Sequence, residues 1–576
     1  MFVLRRYFYL LPAVLLFVTV SAHAAGPDTG TLLNEQRQPG IKLPDRLPKP
    51  DSPAQERPPL ADSGVKVTAK AFRFTGYESI ATETELQALV KDSVGKELSF
   101  PDLQNLVVGI TSYLREKKGY LLARAYLPRQ DLTEGVIEIA IVAGRLDDST
   151  DIRMKGPARI KVSKLREMVE KAVPPGKAIQ TRDIERAILL MNDLSGIKAQ
   201  ASLEPGSAPG TTRVVVNASE GPLLSGMLSG DNYGDRYTGT WRGTGTALVN
   251  DPFGWGDQLA LALTGAENQF QGRFSYALPL GSDGFNWSFG YTNLSYKLGG
   301  DLRNLNYTGS ADTFSTGISY PLLRSRSASI WSGLGFEYLF LTDKMSGDKI
   351  KDRKIPVGNG FISGTFYDQL GGGGMTSVNV TLYGGHLDLS SVTAAQVQDA
   401  AGPKAEGGFF KGTYGLARLQ QITQSLYAFV SARGQVAGGN LDSSQKFILG
   451  GPTGIRAYPV GEAAGDEGHA FTAEMRYDLP FTPAWAATQL VGFLDTGWIK
   501  LNQSNWPGAV TNASGKNDYW LSGAGVGLNI GKTGIYSIRG SYAHTIDTNY
   551  GRSTTGMNAD NLNDKERFWL QALLWF

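Results

Sequence analysis

From about Gly221 to the C-terminus, hydrophobic and polar positions alternate with a period of two. Phe285, Trp287, Phe289 and Tyr291 are separated by Asn286, Ser288 and Gly290, and Leu259, Leu261 and Leu263 by Ala260 and Ala262. At the end, Phe568, Leu570, Ala572, Leu574 and Phe576 share one face. Such strands suit lipid on one side and water or a plug on the other. A soluble β-sandwich alternates in the same way, so strand number decides. Candidate strands begin near Leu223, Thr240, Gln258, Gln271, Phe285, Ala311, Ile330, Gly360, Thr376, Gly408, Ser425, His469, Thr488, Tyr519, Tyr536 and Glu566. Their mean spacing, roughly 22 residues, fits tilted spanning strands joined by alternately short and long connections. An even strand number closing on an aromatic predicts a 16-stranded antiparallel transmembrane β-barrel over residues 222–576, because no open edge can lie in hydrocarbon.

Before residue 221 the pattern changes. Residues 65–147 read as strand, helix, helix, strand, strand, with Val65 to Phe74 as one strand. Leu103, Leu106, Val107, Ile110 and Leu114 fall on one helical stripe, and strands follow at Leu121 to Leu127 and Val136 to Val142. Residues 148–221 repeat the order: a strand at Ile152 to Met154, helices at Val162 to Val173 and around Ile184 to Met191, then strands at Lys198 to Leu203 and Thr212 to Ala218. Two small α+β modules in tandem therefore precede the barrel, and their apolar stripes are read as ordinary core.

Residues 25–64 are polar and proline-rich. Gly30 to Gln38 has room for a short helix that Pro39 ends, and the later prolines keep the remainder extended as a linker. Residues 1–24 have the order of a secretory signal peptide: Arg5-Arg6, an apolar stretch from Leu10 to Val20, and Ala22-His23-Ala24 as the cleavage site.

Composition narrows the function classes. Gly numbers 71, aromatics make up 10% and charged residues 19%, while mean hydropathy is slightly negative; this suits a barrel rather than a helical membrane protein. With Cys at 0 there is neither a disulfide framework nor a thiolate metal site. His386, His469 and His544 are scattered, and no cofactor is expected. Gly531-Lys532-Thr533 lacks the glycine that a P-loop needs at position 526, which is Val526. No basic tract suggests a nucleic-acid partner.

One segment stands apart. Residues 447–468 form a glycine-rich, strand-poor stretch with a single well-placed cation, Arg456. Soon after, Asp495 interrupts an apolar strand beginning Phe493-Leu494. If Phe493 and Leu501 face lipid, parity sends Asp495 outward as well, so a bulge, an interfacial depth or an inward turn is expected there, with Arg456 as the partner of the charge.

These residues also carry a family resemblance. Asp231-Asn232-Tyr233-Gly234 with Tyr237-Thr238-Gly239, Asn250 to Asp257, the loop motif Ile455-Arg456-Ala457-Tyr458 and the strand motif Phe493 to Gly497 occur in one order. Together they resemble the two-partner secretion transporters (TpsB proteins, ShlB/FhaC/HecB-like) of the BamA-type outer-membrane superfamily. Gly119-Tyr120, Leu127 to Gln130 and Asp183 to Arg186 make the modules at 65–147 and 148–221 look like that family's two POTRA domains.

The resemblance implies a bacterial outer-membrane pore with POTRA domains in the periplasm and no enzymatic activity. Its partners would be a large secreted exoprotein with an N-terminal secretion domain, outer-membrane lipid, the barrel assembly machinery and periplasmic chaperones. Arg456 and Asp495 would lock an inward-folded loop to the wall, and Phe576 would be the assembly signal. The family usually has Gly where Ala457 stands; a positive φ there would cost Ala about 1 kcal/mol. Some members plug the pore with an N-terminal helix, and the shortness of the helix before Pro39 leaves plugging open here. An outer-membrane protein assembly factor is the alternative, although such chains usually carry three to five POTRA modules. A passive porin is a more distant one.

Overall fold

The computed structural model describes residues 26–37, 43–47, 66–147, 150–208, 211–480 and 485–576. Residues 1–24, read as a signal peptide, and most of the proline-rich segment lie outside them. Sixteen antiparallel strands, from Leu224–Asp231 to Glu566–Trp575, form a closed barrel in chain order. The last strand pairs with the first from Met227 opposite Trp575 to Asp231 opposite Gln571. No described helix is long and apolar enough to cross a membrane; the crossing is made by strands. Leu261, Leu263, Val380 and Leu382 point outward and are exposed, while their neighbours in the strand face the lumen.

Most strands begin close to the starts read from alternation. The clear exception is Asp348–Asp368, which starts well before Gly360. The stretch from Lys349 to Lys354 is polar, so it gives no lipid-facing signal, yet it pairs with the equally long Ala328–Met345. These strands are longer than a bilayer needs, and their outer ends stand beyond the apolar band.

Strand sense alternates, so the connections at 251–257, 281–284, 325–327, 369–373, 422–425, 479–486 and 533–535 share one rim, and the longer loops share the other. The α+β region sits at the first rim. In its first unit Ala71–Thr75, Val136–Val142 and Arg124–Tyr126 form one sheet, covered by helices Glu83–Val90 and Phe100–Ser112. The strand expected from Val65 to Phe74 is split: Lys66–Thr68 pairs with Glu97–Ser99, while Ala71–Thr75 pairs with Val136–Val142. Ala69 and Lys70 make the break by donating to Lys96 O and Gly135 O. Both helices start on capping boxes, Thr82 with Glu85 and Ser99 with Asp102, which satisfy N–H groups the helix leaves open. Leu103, Ile110 and Leu114 are buried in this core, as their stripe requires.

In the second unit, Arg145–Leu146 and Asp151–Met154 run parallel to Thr211–Glu220, which pairs on its other side with Ile197–Pro205. Helices Val162–Ala172 and Thr181–Asn192 cover it. This unit is docked on the barrel rim. Lys164 Nζ donates to Trp255 O (2.7 Å) and Pro279 O (2.9 Å). Arg186 donates to Pro321 O (3.0 Å), and Arg324 makes a bidentate pair with Asp193 (2.9 and 2.8 Å). The segment Asn250 to Asp257, between two barrel strands, is part of the seat of this joint. Asp251 adopts φ 52°, its carboxylate accepts from Gly256 N–H (2.6 Å), and Asn250 accepts from Ser195 Oγ (2.8 Å). Replacing both Arg186 and Arg324 with alanine is expected to loosen the second unit on the rim, where the Lys164 and Ser195 contacts remain, while leaving the barrel folded. Faster proteolytic cleavage near residues 221–223, with unchanged heat resistance of the barrel, would show it.

Candidate functional site

The lumen is filled from both ends. From the long-loop rim, the chain after Leu426–Ala437 turns inward before Glu467–Asp478 begins. Phe447–Ile448 pairs with Ala464–Gly465 to form its neck. At its tip Leu449, Ile455, Ala457 and Tyr458 are buried against the wall.

Arg456 is the centre of this contact. Its Nε and Nη2 donate to the two Asp495 oxygens at 2.8 Å each, and its own N–H donates to Asp495 Oδ2 at 3.2 Å. Thr472 Oγ1 donates to the same carboxylate (2.9 Å). Glu474 takes the third guanidinium nitrogen (2.8 Å) and also holds Arg476 (2.8 Å). The guanidinium lies 3.5 Å from the Phe493 ring centroid, a cation–π contact. Trp569 Nε1 donates to Arg456 O (2.8 Å), tying the tip to the last strand. Asp495 has 0% exposure, so the buried charge is compensated from four sides.

The parity argument for Asp495 began from a wrong premise. Phe493 does not face lipid. Phe493, Asp495 and Gly497 point into the lumen, while Leu490 and Leu494 face outward. The strand Ala487–Lys500 keeps continuous register with both neighbours, so neither bulge nor turn is needed. Phe493 is the aromatic floor under Arg456. Gly497 is a gap: a Cβ there would stand 2.4 Å from Leu449 Cδ2 of the loop.

Ala457 also differs from expectation. It is not among the residues with positive φ, so the backbone cost does not arise. Its Cβ packs instead on bare backbone, since a Cβ on Gly523 would come within 2.4 Å of it. Smallness has moved to the opposing strand. Gly523→Ala is expected to destabilise the seated loop by about 1–3 kcal/mol, as overpacking does, and Ala457→Gly in the same chain should return most of it. Heat-dependent electrophoretic mobility of the folded barrel would measure both. Tyr458 Oη donates to Ser522 O (3.4 Å) beside this contact. Glu462 accepts from Ala559 N–H and from the Asn549 amide, both at 2.6 Å, while burial raises its carboxyl above the ordinary range.

The N-terminal helix Thr29–Arg37 fills the other part of the lumen. The short helix lies inside the barrel, with Leu32 and Leu33 at 0% and 1% exposure. Asp28 accepts from Thr31 N–H (2.9 Å) at the helix start and from Arg353 Nη1 (3.0 Å). Arg353, 1% exposed, also pairs with Asp343 (2.5 Å) and Asp442 (3.0 Å). Thr29 Oγ1 donates to Asp343 (2.5 Å), and Tyr296 Oη donates to it as well (2.8 Å). Burial would raise the Asp28 carboxyl, but Arg353 and then Lys351 outweigh it and hold it well below the usual carboxylate range. At the other end Arg37 pairs with Glu337 (3.1 Å). Farther on, Asp45 reaches Arg539 (2.8 Å) and Arg46 reaches Asp478 (2.7 Å). Residues 43–47, expected to be free linker, therefore lie against the inner wall near the modules.

The Asp28–Arg353–Asp343–Asp442 cluster was not read from the sequence. Parity along Asp348–Asp368 would have placed Arg353 inward had the strand been traced past its polar outer half. Beside the helix a cavity of about 690 Å³ remains, lined by Thr, Ser, Asn and Gln side chains with Arg273, Arg433 and Lys411. At the seam, Phe576 N–H donates to Gly226 O (3.1 Å) and Gly226 N–H donates to Phe576 O (2.8 Å), and the Phe576 ring is exposed toward lipid.

A closed 16-stranded barrel, a lumen stoppered by a loop and a helix, and α+β modules on one rim define an outer-membrane transporter of polypeptides. The haemolysin secretion/activation protein family ShlB/FhaC/HecB matches residues 210–530, and the ShlB-type POTRA domain matches residues 67–144. The chain belongs to this ShlB/FhaC/HecB family of two-partner secretion transporters. It is 28% identical over 566 residues to the heme/hemopexin transporter protein HuxB of Haemophilus influenzae, covering 96% of this chain and 95% of that protein. The outer membrane transporter CdiB of Escherichia coli is 25% identical over 86% of this chain and 84% of its own length. Among solved structures, CdiB from Escherichia coli superposes with TM-score 0.69 at 22% identity, over 94% of this chain and 95% of that one, which shows the same fold.

Proposed function

We propose that this transporter is held shut by two separate locks, Arg456–Asp495 for the loop and Asp28–Arg353 for the helix, and that an unfolded client passes the lumen only when both yield. The observation that carries the reading is the burial of both contacts inside the barrel, where neither is required to close the sheet. The client would first add as a strand to a free edge of the α+β sheets, such as Ala71–Thr75 or Arg124–Tyr126, each paired on one side only. Backbone bonds give affinity there with little demand on sequence. Folding outside the cell would then bias movement outward, without nucleotide.

The full-length likeness to transporters named for heme and hemopexin supports an exoprotein of that kind as the client. An assay of haem–hemopexin use by cells with and without this gene would test it; unchanged growth on that iron source would count against it. Phe576, at the seam and open to lipid, is proposed as the residue read by the assembly machinery, and Phe576→Ala should lower the amount of folded barrel. For the locks themselves, client secreted per folded transporter is the measurement. Lock variants that fold less well but secrete normally per folded molecule would leave only a structural role.

A further inference from the structure

The segment Leu43-Pro44-Asp45-Arg46-Leu47 occupies a formed groove on the inner wall at the rim that carries the α+β modules. Leu43 and Leu47 pack on a buried apolar shelf of Ala417, Leu419, Tyr427 and Phe429. Between them, the Asp45 carboxylate accepts from Arg539 Nη2 (2.8 Å) and stands 4.0 Å from Arg476 Nη1. Gln489 Nε2 donates to the Asp45 backbone carbonyl at 3.5 Å. Arg476 is only 9% exposed, stacks on Phe429 at 4.4 Å, and its Nη1 has no hydrogen-bond partner. The Arg539 Nε is unpaired as well.

The groove thus offers more than its occupant uses. Two cations face Asp45, Arg539 and an Arg476 whose other nitrogens are held by Glu474, and the donors left over, Arg476 Nη1 and Arg539 Nε, are costly to bury without partners. Its occupant is a short, proline-containing segment that bends at Asp45 and Arg46, held by two leucines four residues apart and an acid midway. Those demands are generic to unfolded polypeptide. Pro44 is exposed, and Arg46, also exposed, adds a surface pair with Asp478 (2.7 Å) at the edge of the groove.

We propose that this groove is a client-binding subsite at the periplasmic mouth of the pore, which takes an unfolded peptide with a carboxylate between two aliphatic side chains, and that residues 43–47 are its resident competitor. The linker wins at rest because it is tethered, so its effective concentration is high. A client already held on the neighbouring modules gains the same advantage and displaces it. The site also reports to the loop. Arg476 shares Glu474 with Arg456, so the ion chain runs from Asp45 through Arg476, Glu474 and Arg456 to Asp495. Its purpose rests on the transport reading above, but binding itself does not.

The test uses purified full-length protein and two labelled nonapeptides. One is residues 41–49 of this chain. The other is an unrelated sequence that keeps only leucine, aspartate and leucine at the same spacing. The variant Leu43→Ser/Asp45→Asn/Leu47→Ser vacates the groove without touching the barrel. It should bind both peptides at least about tenfold more tightly than the wild type, and Arg539→Gln added to it should cost about tenfold, the value of one charge-assisted bond. If that variant fails to assemble, Asp45→Asn alone serves with the same peptides. Binding of the 41–49 peptide only would make the groove a private dock for the linker and overturn the proposal. No binding of either peptide would overturn it too. Because secretion is not measured, a failure here is distinguishable from a failure of the transport reading.

Discussion

Asp495→Ala is expected to unseat the inward loop and to lower the stability of the barrel by about 3–5 kcal/mol, the usual result of leaving a buried charge without its partner. Asp495 accepts from Arg456 at two side-chain nitrogens and the backbone and from Thr472, and all four donors are orphaned at once. Glu474 cannot take them over, because its other oxygen already holds Arg476. Asp495→Asn keeps the shape and one acceptor oxygen, and should fall between the alanine variant and wild type. The unfolding temperature read from electrophoretic mobility and protease access at 451–461 would measure both. An Asp495→Ala barrel as heat-resistant and protease-resistant as the wild type would sink the lock reading. Exchanging the charges, Arg456→Asp with Asp495→Arg, should not restore function, since the new carboxylate at 456 would face Glu474. Adding Glu474→Gln should recover part of the loss.

Asp28→Ala should lengthen the open time of the barrel in planar bilayers by about two to three orders of magnitude. One charge-assisted bond to Arg353 and one helix cap are lost together, worth about 1.5–3 and about 1 kcal/mol. The remaining cluster is left better balanced, because Arg353 still holds Asp343 and Asp442. Arg353→Leu is the wrong test: it would strand three buried carboxylates and damage folding. The pH dependence follows from the sign of the Asp28 shift. Its folded-state carboxyl is depressed, so its contribution is fully present above the ordinary carboxylate range and is lost as pH falls toward the depressed value. Wild-type closure through this contact should therefore hold from neutral pH down to about 4. An open time unchanged by Asp28→Ala would show that the helix is retained by its apolar face, Leu32 and Leu33, rather than by the lock.

Several strands were legible because lipid enforces alternation. The starts at Gln258, Phe285, Tyr536 and Glu566 coincide with those read from the chain, each where bulky side chains begin to face hydrocarbon. The helix stripe of Leu103 to Leu114 was legible for the same reason, with a core in place of lipid. Asp348–Asp368 was read only from Gly360 because its outer half stands where no lipid imposes a pattern. Phe493 was assigned to lipid because an aromatic in a barrel strand usually faces out; here a guanidinium from a loop nearly forty residues earlier supplies it with an inward partner.

The sequence by itself determined the strand order and the two α+β units, since alternation and turn residues are local signals, and it offered Arg456 as the partner of Asp495 although it turned Phe493 to the wrong face. Only the tertiary structure decided what fills the pore. Arg353 collects Asp28, Asp343 and Asp442 from far-separated segments, and residues 43–47 find their groove among residues 370 or more positions away. Nothing local in a nine-residue polar helix or a proline-rich linker states that either is inside a barrel. Their burial is fixed by charges and apolar shelves that meet only once the sheet has closed.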